Sequence, residues 1–203
     1  ATWMMRAFFL HRFLFSRDER FLLASRKAEL VDKPGDPDCM FWKLDFILQH
    51  LPTWMLPRLR RTEMCYQNLD TNNTINGDTT NADIGRGGRR TAIGFDEFAS
   101  DLNGRKVLSA SNATSYCRIF NSTPRGSATA FAEVCRNPKT NLITLHWSQH
   151  PRKNQGLFKK PNGKLWSSWA EEEFTGNLNS SQWEWDQEYE LSEMGSAAKF
   201  FDS

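Results

Sequence analysis

Residues 91–98 constrain the fold of this chain more than any other segment, because a short apolar run ends there in two adjacent acids. The run is long enough for a buried strand, and Asp96 and Glu97 follow it directly. Packing does not favour this ending, since an ionised carboxylate is costly to desolvate without a partner. A strand that ends at a phosphate site can use both acids, one to hold Mg²⁺ and one to activate the water that attacks a γ-phosphate. The alternative is a strand that runs into an ordinary polar turn.

The composition is that of a globular chain. The 203 residues are 39% hydrophobic and 25% charged, which suits one sizeable core with an appended segment. No apolar stretch approaches the length of a membrane span, so we expect no membrane partner. The four cysteines form no Cys-x-x-Cys pair. Their spacing is typical of reduced thiols rather than of a disulfide framework or a zinc site.

Helical and strand patterns alternate along the first three quarters of the chain. The predicted helices are residues 2–15, 40–51, a short one after Glu97, and 129–134. The predicted strands are residues 21–25, one or two within 68–83, 91–95, 107–111, 117–121 and 141–147, and residues 56–61 are a predicted loop. This alternation predicts an α/β domain with a mostly parallel sheet flanked by helices.

The character of the chain changes near residue 148. Basic residues surround a Pro161-Asn162-Gly163 turn, and an acidic, tryptophan-rich segment follows. We therefore predict two domains, residues 1–150 and residues 151–203, the second holding a basic hairpin or loop and one or two helices that pack aromatic rings against the first domain. The basic residues could contact DNA phosphates without regard to sequence, or could be ordinary solvated surface. These candidates are Arg152, Lys153, Lys159, Lys160 and Lys164.

A second predicted strand also ends in polar side chains. Asn121, Ser122 and Thr123 offer amide and hydroxyl groups just before Pro124 turns the chain. Such groups can sense a γ-phosphate and move the following segment after hydrolysis. By itself, this sequence is also a common turn.

Together these motifs resemble the ATPase domain of tailed-bacteriophage terminase large subunits. The resemblance is carried by residues 85–99, 122–126 and Phe131, and by residues 25–32, 146–147 and 150–151. It implies a P-loop NTPase core of the ASCE (RecA-like) class that hydrolyses ATP with Mg²⁺ to move double-stranded DNA into a procapsid. It also implies that Asp96 is the Walker B ligand of Mg²⁺, that Glu97 is the catalytic base, and that residues 121–123 form the coupling motif.

The chain departs from the family pattern because no Gly-x-x-x-x-Gly-Lys-Ser/Thr phosphate loop occurs in it. Ala1-Thr2-Trp3 looks like the end of a variant loop, in which case the Thr2 hydroxyl would bind Mg²⁺; the alternative is a plain helix N-cap. The family's nuclease domain is absent as well. We therefore expect a fragment that is inactive by itself.

Three arginines before the Asp-Glu strand are candidates for an arginine finger: Arg86, Arg89 and Arg90. In a ring they could act on the ATP of a neighbouring subunit; alternatively, they pair with surface acids.

The resemblance further implies a homo-oligomeric ring with a portal protein and a small terminase subunit as partners, in the host cytoplasm at the procapsid portal. Two other functions stay open. A helicase-like nucleic-acid-dependent ATPase would share both strand-end motifs. A catalytically inactive domain that binds DNA or a partner would account for the missing phosphate loop.

Overall fold

The computed structural model describes residues 2–81, 83–84 and 88–193. The chain divides into two compact units, Ala1–Ser122 and Thr123–Ser203. The predicted functional division at residue 150 stays a prediction. None of the helices in the described part of the chain combines the length and apolarity that a membrane-spanning segment needs.

In its described residues, the first unit is a six-stranded sheet with four α-helices. Its strands are β1 (Arg20–Ser25), β2 (Leu59–Thr62), β3 (Cys65–Asn68), β4 (Asn73–Thr79), β5 (Ala92–Asp96) and β6 (Cys117–Asn121). Its helices are α1 (Thr2–Phe15), α2 (Ala28–Val31), α3 (Met40–Gln49) and α4 (Gly104–Asn112). The strand order is β2-β3-β4-β1-β5-β6. Strands β4, β1, β5 and β6 run parallel, and β2 and β3 pair antiparallel. The predicted α/β class with a mostly parallel sheet is confirmed.

Helix α1 packs closely against β5, the strand between β1 and β6. Phe9 and Phe13 lie on one helical face and are fully buried in the main core, as their spacing requires. Every residue of β5 is buried. A Cβ atom added at Gly94 would lie 2.8 Å from the Phe9 ring, so only glycine permits this close approach. The contact holds α1 over the strand that ends in Asp96.

Two buried amides complete the carboxyl end of α1. Asn68 and Asn73 each donate a hydrogen bond to the Phe13 carbonyl oxygen, at 3.0 and 2.9 Å. Asn73 also donates to the Ser16 carbonyl oxygen at 2.8 Å. The last carbonyl groups of a helix lack partners within the helix, so these side chains stabilise its end and join it to β3 and β4.

Three predicted elements are wrong. Residues 107–111 belong to helix α4, because Val107 and Ser111, one turn apart, are its buried positions. Residues 59–61 are not a loop: they lie in β2, whose backbone pairs with β3. Residues 141–146 form no strand and lead into a 3₁₀ turn, Trp147–Gln149; their apolar side chains are exposed at Leu142, Ile143 and Leu145.

The second unit is built around aromatic rings. It contains α5 (Ala130–Arg136), the antiparallel pair β7 (Phe158–Lys159) and β8 (Leu165–Trp166), α6 (Ser168–Glu172) and α7 (Gln182–Glu188). Trp147, Trp166 and Trp185 are buried together with Ala170. The basic segment thus forms the hairpin β7–β8, and helices α6 and α7 carry Trp169 and Trp185.

Candidate active site

The candidate site lies at the carboxyl edge of the parallel strands in the first unit. Strand β1 ends at Ser25, β5 at Asp96 and β6 at Asn121. The amino end of α1 reaches the same edge, because Thr2 is within hydrogen-bond distance of both Asp96 and Asn121. In open α/β sheets, ligands bind outside this edge.

Asp96 is held by predicted site residues from two other elements. Asn121 Nδ2 donates to Asp96 Oδ1 at 2.6 Å, and the Thr2 hydroxyl donates to the same oxygen at 3.5 Å. Asn121 Nδ2 also lies 3.2 Å from Thr2 Oγ1. Ser25 adds a bond from its hydroxyl to the Asp96 carbonyl oxygen at 3.4 Å. The fold thus brings the Walker B candidate, the coupling candidate and the helix-start hydroxyl into one cluster.

Arg6 is a fourth member of this cluster, and it was not predicted. Its Nη2 donates to Asp96 Oδ2 at 2.6 Å, and its Nη1 donates to the Thr2 carbonyl oxygen at 3.3 Å. The Arg6 side chain has no exposed surface. Burial lowers the pKa of the Arg6 guanidinium, and the Asp96 carboxylate opposes that shift. The Arg6 Nε is buried and has no hydrogen-bond partner in the structure.

A signal for Arg6 was present in the sequence. Arg6 lies one helical turn before Leu10 and two before Phe13, on the face of α1 that is otherwise apolar and buried. A guanidinium on such a face needs an acidic partner, because an unpaired buried charge is strongly destabilising. The partner is 90 positions away in the sequence, so the helical pattern alone does not identify it.

Glu97 has an unusual backbone conformation. Its φ and ψ are 55° and 35°, in the left-handed region, which is unfavourable for residues other than glycine, asparagine and aspartate. Asp96 is buried, whereas Glu97 is exposed. A 3₁₀ turn, Phe98–Ser100, follows. Such backbone outliers concentrate at functional sites.

Ser122 ties the turn after Glu97 to the end of β6. Its hydroxyl oxygen accepts a hydrogen bond from the Ala99 backbone N–H at 3.0 Å. This residue of the predicted coupling motif therefore contacts the segment that carries the candidate base. Thr123, the next residue, begins the second unit and is half-buried, and its role stays a prediction.

Two of the three candidate arginine fingers, Arg89 and Arg90, lie away from this cluster. Arg89 and Arg90 precede β5, at the end of that strand opposite Asp96. Arg90 donates from Nη1 to Asn76 at 3.0 Å, and its backbone N–H donates to Thr114. Both arginines line a small cavity of about 110 Å³ with residues 112–116. Arg86 is outside the described residues, so a finger that reaches a neighbouring subunit stays a prediction.

The predicted DNA-contact residues differ in their surroundings. Lys160 Nζ lies 3.3 Å from the centroid of the Trp166 ring, and Lys153 Nζ lies 4.2 Å from that of Trp169. Lys164 forms an ion pair with Asp186 at 2.9 Å. Arg152 and Lys159 are exposed. Two of the five basic side chains are thus open to solvent, and three already contact groups of their own unit.

The donors at the carboxyl edge fit Mg²⁺ accompanied by a phosphate. Mg²⁺ takes oxygen ligands and usually uses one or two carboxylates, water and substrate phosphates rather than a closed protein cage. Thr2 and Asp96 supply such oxygens, and no group of three His, Cys, Asp or Glu side chains that could hold a metal occurs in the described residues. The unpartnered Arg6 Nε is a buried N–H donor at the same place, suited to an anionic oxygen.

Solved structures share this fold. The chain matches the large terminase of bacteriophage HK97 with a TM-score of 0.62 and 11% identity, over 94% of this chain and 44% of that one. It matches an ADP complex of the large terminase of a thermophilic bacteriophage with a TM-score of 0.61 and 13% identity, over 94% and 44%. It matches a variant of the large terminase ATPase domain of Thermus phage P74-26 with a TM-score of 0.51 and 13% identity, over 94% and 83%.

These matches establish the fold as that of the ATPase domain of phage large terminases. The chain spans less than half the length of the HK97 large terminase. No protein-family model and no curated protein matches the sequence.

Proposed function

We propose that this chain is the ATPase domain of a DNA-packaging motor of the large-terminase type, which hydrolyses Mg·ATP to move double-stranded DNA into a procapsid. One observation carries the proposal: Thr2, Asp96 and Asn121 meet at the carboxyl edge of the parallel sheet, within hydrogen-bond distance of one another. Glu97 follows directly and is exposed. The terminase fold of the chain, and the ADP bound in one of the similar structures, agree with this function.

Each residue of the cluster has a distinct role in this proposal. Thr2 and Asp96 would hold Mg²⁺, which when bound neutralises charge on the ATP phosphates. Glu97, exposed beside them, accepts the proton of the attacking water. Asn121 orients Asp96 through its 2.6 Å hydrogen bond and presents its amide towards the same edge. Ser122 holds the turn that follows Glu97 through the Ala99 N–H.

The coupling of hydrolysis to movement is assigned to the end of β6. Ser122 closes the first unit and Thr123 opens the second. A change in the hydrogen bonds of residues 121–123 on hydrolysis would therefore act on the chain segment that joins the two units. Order and register changes of this kind are a common way in which γ-phosphate loss is transmitted.

The basic residues of the second unit are assigned to DNA contact. Arg152 and Lys159 are the strongest candidates for phosphate contact, because both are exposed. The logarithm of the DNA association constant falls linearly with the logarithm of the salt concentration. Replacing both residues with glutamine should make this slope shallower by the amount that corresponds to about two phosphate contacts. The matched control is Lys164→Gln, which removes a lysine already paired with Asp186. Equal slopes in all three proteins would exclude this surface.

The partners and the place of action follow from the same proposal. A homo-oligomeric ring, a portal protein and a small terminase subunit would complete the motor, which would work in the host cytoplasm at the procapsid portal. Arg86, Arg89 or Arg90 would then reach the ATP of a neighbouring subunit.

The test measures DNA-stimulated ATP hydrolysis by the natural full-length polypeptide that contains this sequence, and compares it with the Glu97→Gln variant. We expect turnover to fall at least about a hundredfold in Glu97→Gln, as for loss of a general base, while ATP binding is retained. Glu63→Gln, which changes an exposed glutamate between β2 and β3, should keep full turnover. If the wild-type protein neither binds nor hydrolyses ATP, the ATPase proposal is wrong and a role in binding DNA or a partner is favoured.

Strand separation distinguishes a packaging motor from a helicase-like ATPase. We expect ATP-dependent displacement of a third strand from triplex DNA, without unwinding of the duplex beneath it. Unwinding of that duplex would favour the helicase-like function.

A further inference from the structure

Arg6 neutralises the carboxylate that the proposed reaction needs for its metal ion. The Asp96 side chain is 11% exposed, and Arg6 is completely buried beside it. Asn121 and Thr2 contribute neutral hydrogen bonds to Asp96 Oδ1, whereas Arg6 contributes a full positive charge at Oδ2. A guanidinium stays protonated in proteins. The carboxylate therefore already has a counter-ion in this structure.

A second cation at Asp96 competes with this ion pair. Like charges repel more strongly in a buried site than in water, because the local dielectric is lower. A divalent ion that binds Asp96 while Arg6 keeps its 2.6 Å bond would place two cations on one carboxylate. Binding is easier if the Arg6 Nη2 bond is released first.

The contacts of Arg6 would allow it to release Asp96 without leaving the site. Its Nη1 is bound to the Thr2 carbonyl oxygen, which is independent of the carboxylate. Its Nε has no hydrogen-bond partner, so the guanidinium is not held at every donor. A small rotation can end one hydrogen bond and retain the other.

We propose that Arg6 is the resident counter-ion of Asp96, and that divalent-cation binding exchanges the Arg6–Asp96 hydrogen bond for a metal contact. Arg6 thereby sets the metal affinity of the site and holds the Asp96 side chain in place until the metal arrives. This inference rests on the proposed function, because it takes Asp96 as the metal ligand. Arg6 acts through Asp96 and is a positioning residue.

The test measures binding of Mn²⁺, a paramagnetic substitute for Mg²⁺, by electron paramagnetic resonance without nucleotide. Arg6→Gln keeps a donor and removes the charge, whereas Arg6→Lys keeps the charge. We expect Arg6→Gln to bind Mn²⁺ about tenfold more tightly or better, the equilibrium effect of a charge-assisted hydrogen bond. Arg6→Lys should stay close to wild type, and Asp96→Asn should abolish the site. Arg12→Gln, which changes an exposed arginine on the same helix, is the matched control and should not change the affinity.

Two results overturn the proposal. Equal Mn²⁺ affinity in wild type and Arg6→Gln, including no binding by either, shows that the guanidinium does not control the metal. Equally tightened binding in Arg6→Gln and Arg6→Lys shows that packing, not charge, is responsible.

A measurement on the wild type keeps the test decisive even if Arg6→Gln does not fold. The buried Arg6 Nε–H should give a slowly exchanging ¹⁵N resonance, and Mg²⁺ should shift it in wild type but not in Asp96→Asn. The proposal is wrong if calorimetry detects Mg²⁺ binding at Asp96 but the Arg6 Nε–H resonance does not shift. No nucleotide is present in either measurement, so a failure of ATP turnover does not affect the result. Conversely, an active ATPase with no Arg6 effect refutes this inference alone.

Discussion

Asn121 and Asp96 are the last paired residues of strands β6 and β5, and the Asn121 amide donates to the Asp96 carboxylate at 2.6 Å. The two polar strand ends, 25 positions apart in the sequence, therefore form one site. Parallel pairing produces this result because both strands end at the same edge of the sheet.

Removing the Asn121 amide should weaken the fold as well as the site. Asn121→Leu leaves the mostly buried Asp96 with one donor fewer, and we expect the free energy of unfolding to fall by about 1–3 kcal/mol. Asn112→Leu is the control, because the Asn112 side chain is exposed and accepts a hydrogen bond from Arg118 rather than from a group of the site; its effect should stay within about 0.5 kcal/mol. Urea denaturation measures both, and equal losses would contradict a special role for Asn121.

The left-handed backbone conformation of Glu97 should lower the stability of the folded chain. Glycine adopts the left-handed conformation of this residue without strain, so Glu97→Gly should be more stable than Glu97→Ala by about 1 kcal/mol. At Glu63, whose φ is not positive, we expect the alanine variant to be more stable than the glycine variant. Glycine at this position only increases the entropy of the unfolded chain. Thermal unfolding of the four variants checks this; an alanine variant at residue 97 as stable as the glycine variant would exclude strain.

Gly94 should tolerate no side chain. A Cβ there meets the Phe9 ring at 2.8 Å, and we expect Gly94→Ala to lower the free energy of unfolding by about 1–3 kcal/mol through overpacking. Gly176→Ala is the control, since nothing lies within 4 Å of an added Cβ at that position. The control should be neutral or slightly stabilising in chemical denaturation. A neutral Gly94→Ala would mean that α1 can move away from β5.

Tyr66 should make stability depend on pH in the alkaline range. Burial, together with a hydrogen bond from its hydroxyl to Asp45, raises the Tyr66 pKa above its usual range. The folded state therefore retains the phenol proton after the unfolded chain has lost it. The stabilising contribution is complete below the ordinary tyrosine pKa of about 10 and declines as the pH rises above it.

The Tyr66→Phe variant isolates this effect. We expect wild type to be more stable than Tyr66→Phe at pH 7, by about 1 kcal/mol for the hydrogen bond, and this advantage to shrink above pH 10. Tyr116→Phe, which changes a fully exposed ring, should follow wild type at every pH. Guanidinium denaturation at several pH values measures the differences; a constant advantage of wild type up to pH 11 would show that the Tyr66 proton is not held.

Local patterns predicted the helices and strands that carry one clear period. The apolar residues of helix α1 repeat at helical spacing, whereas β1 and β5 are short continuous apolar runs of strand length. Residues 107–111 are short enough to fit the spacing of a strand or of a helix. In the structure they are helical, with Val107 and Ser111 buried on one face of α4. Residues 141–146 have strand-like residues but pair with no strand in the described part of the chain.

The chemistry available at the strand ends can be predicted from the sequence. Asp96, Glu97 and Asn121 end or directly follow apolar runs, and polar groups at such positions need partners. It could not determine which groups those partners are. The ion pair of Arg6 with Asp96 joins residues 90 positions apart, and the left-handed conformation of Glu97 depends on how β5 leaves the sheet. The ion pair requires α1 to lie against β5 at Gly94, because this placement brings Arg6 to the end of that strand. Such long-range packing is decided only when the whole sheet has formed, since no local stretch of sequence contains both partners.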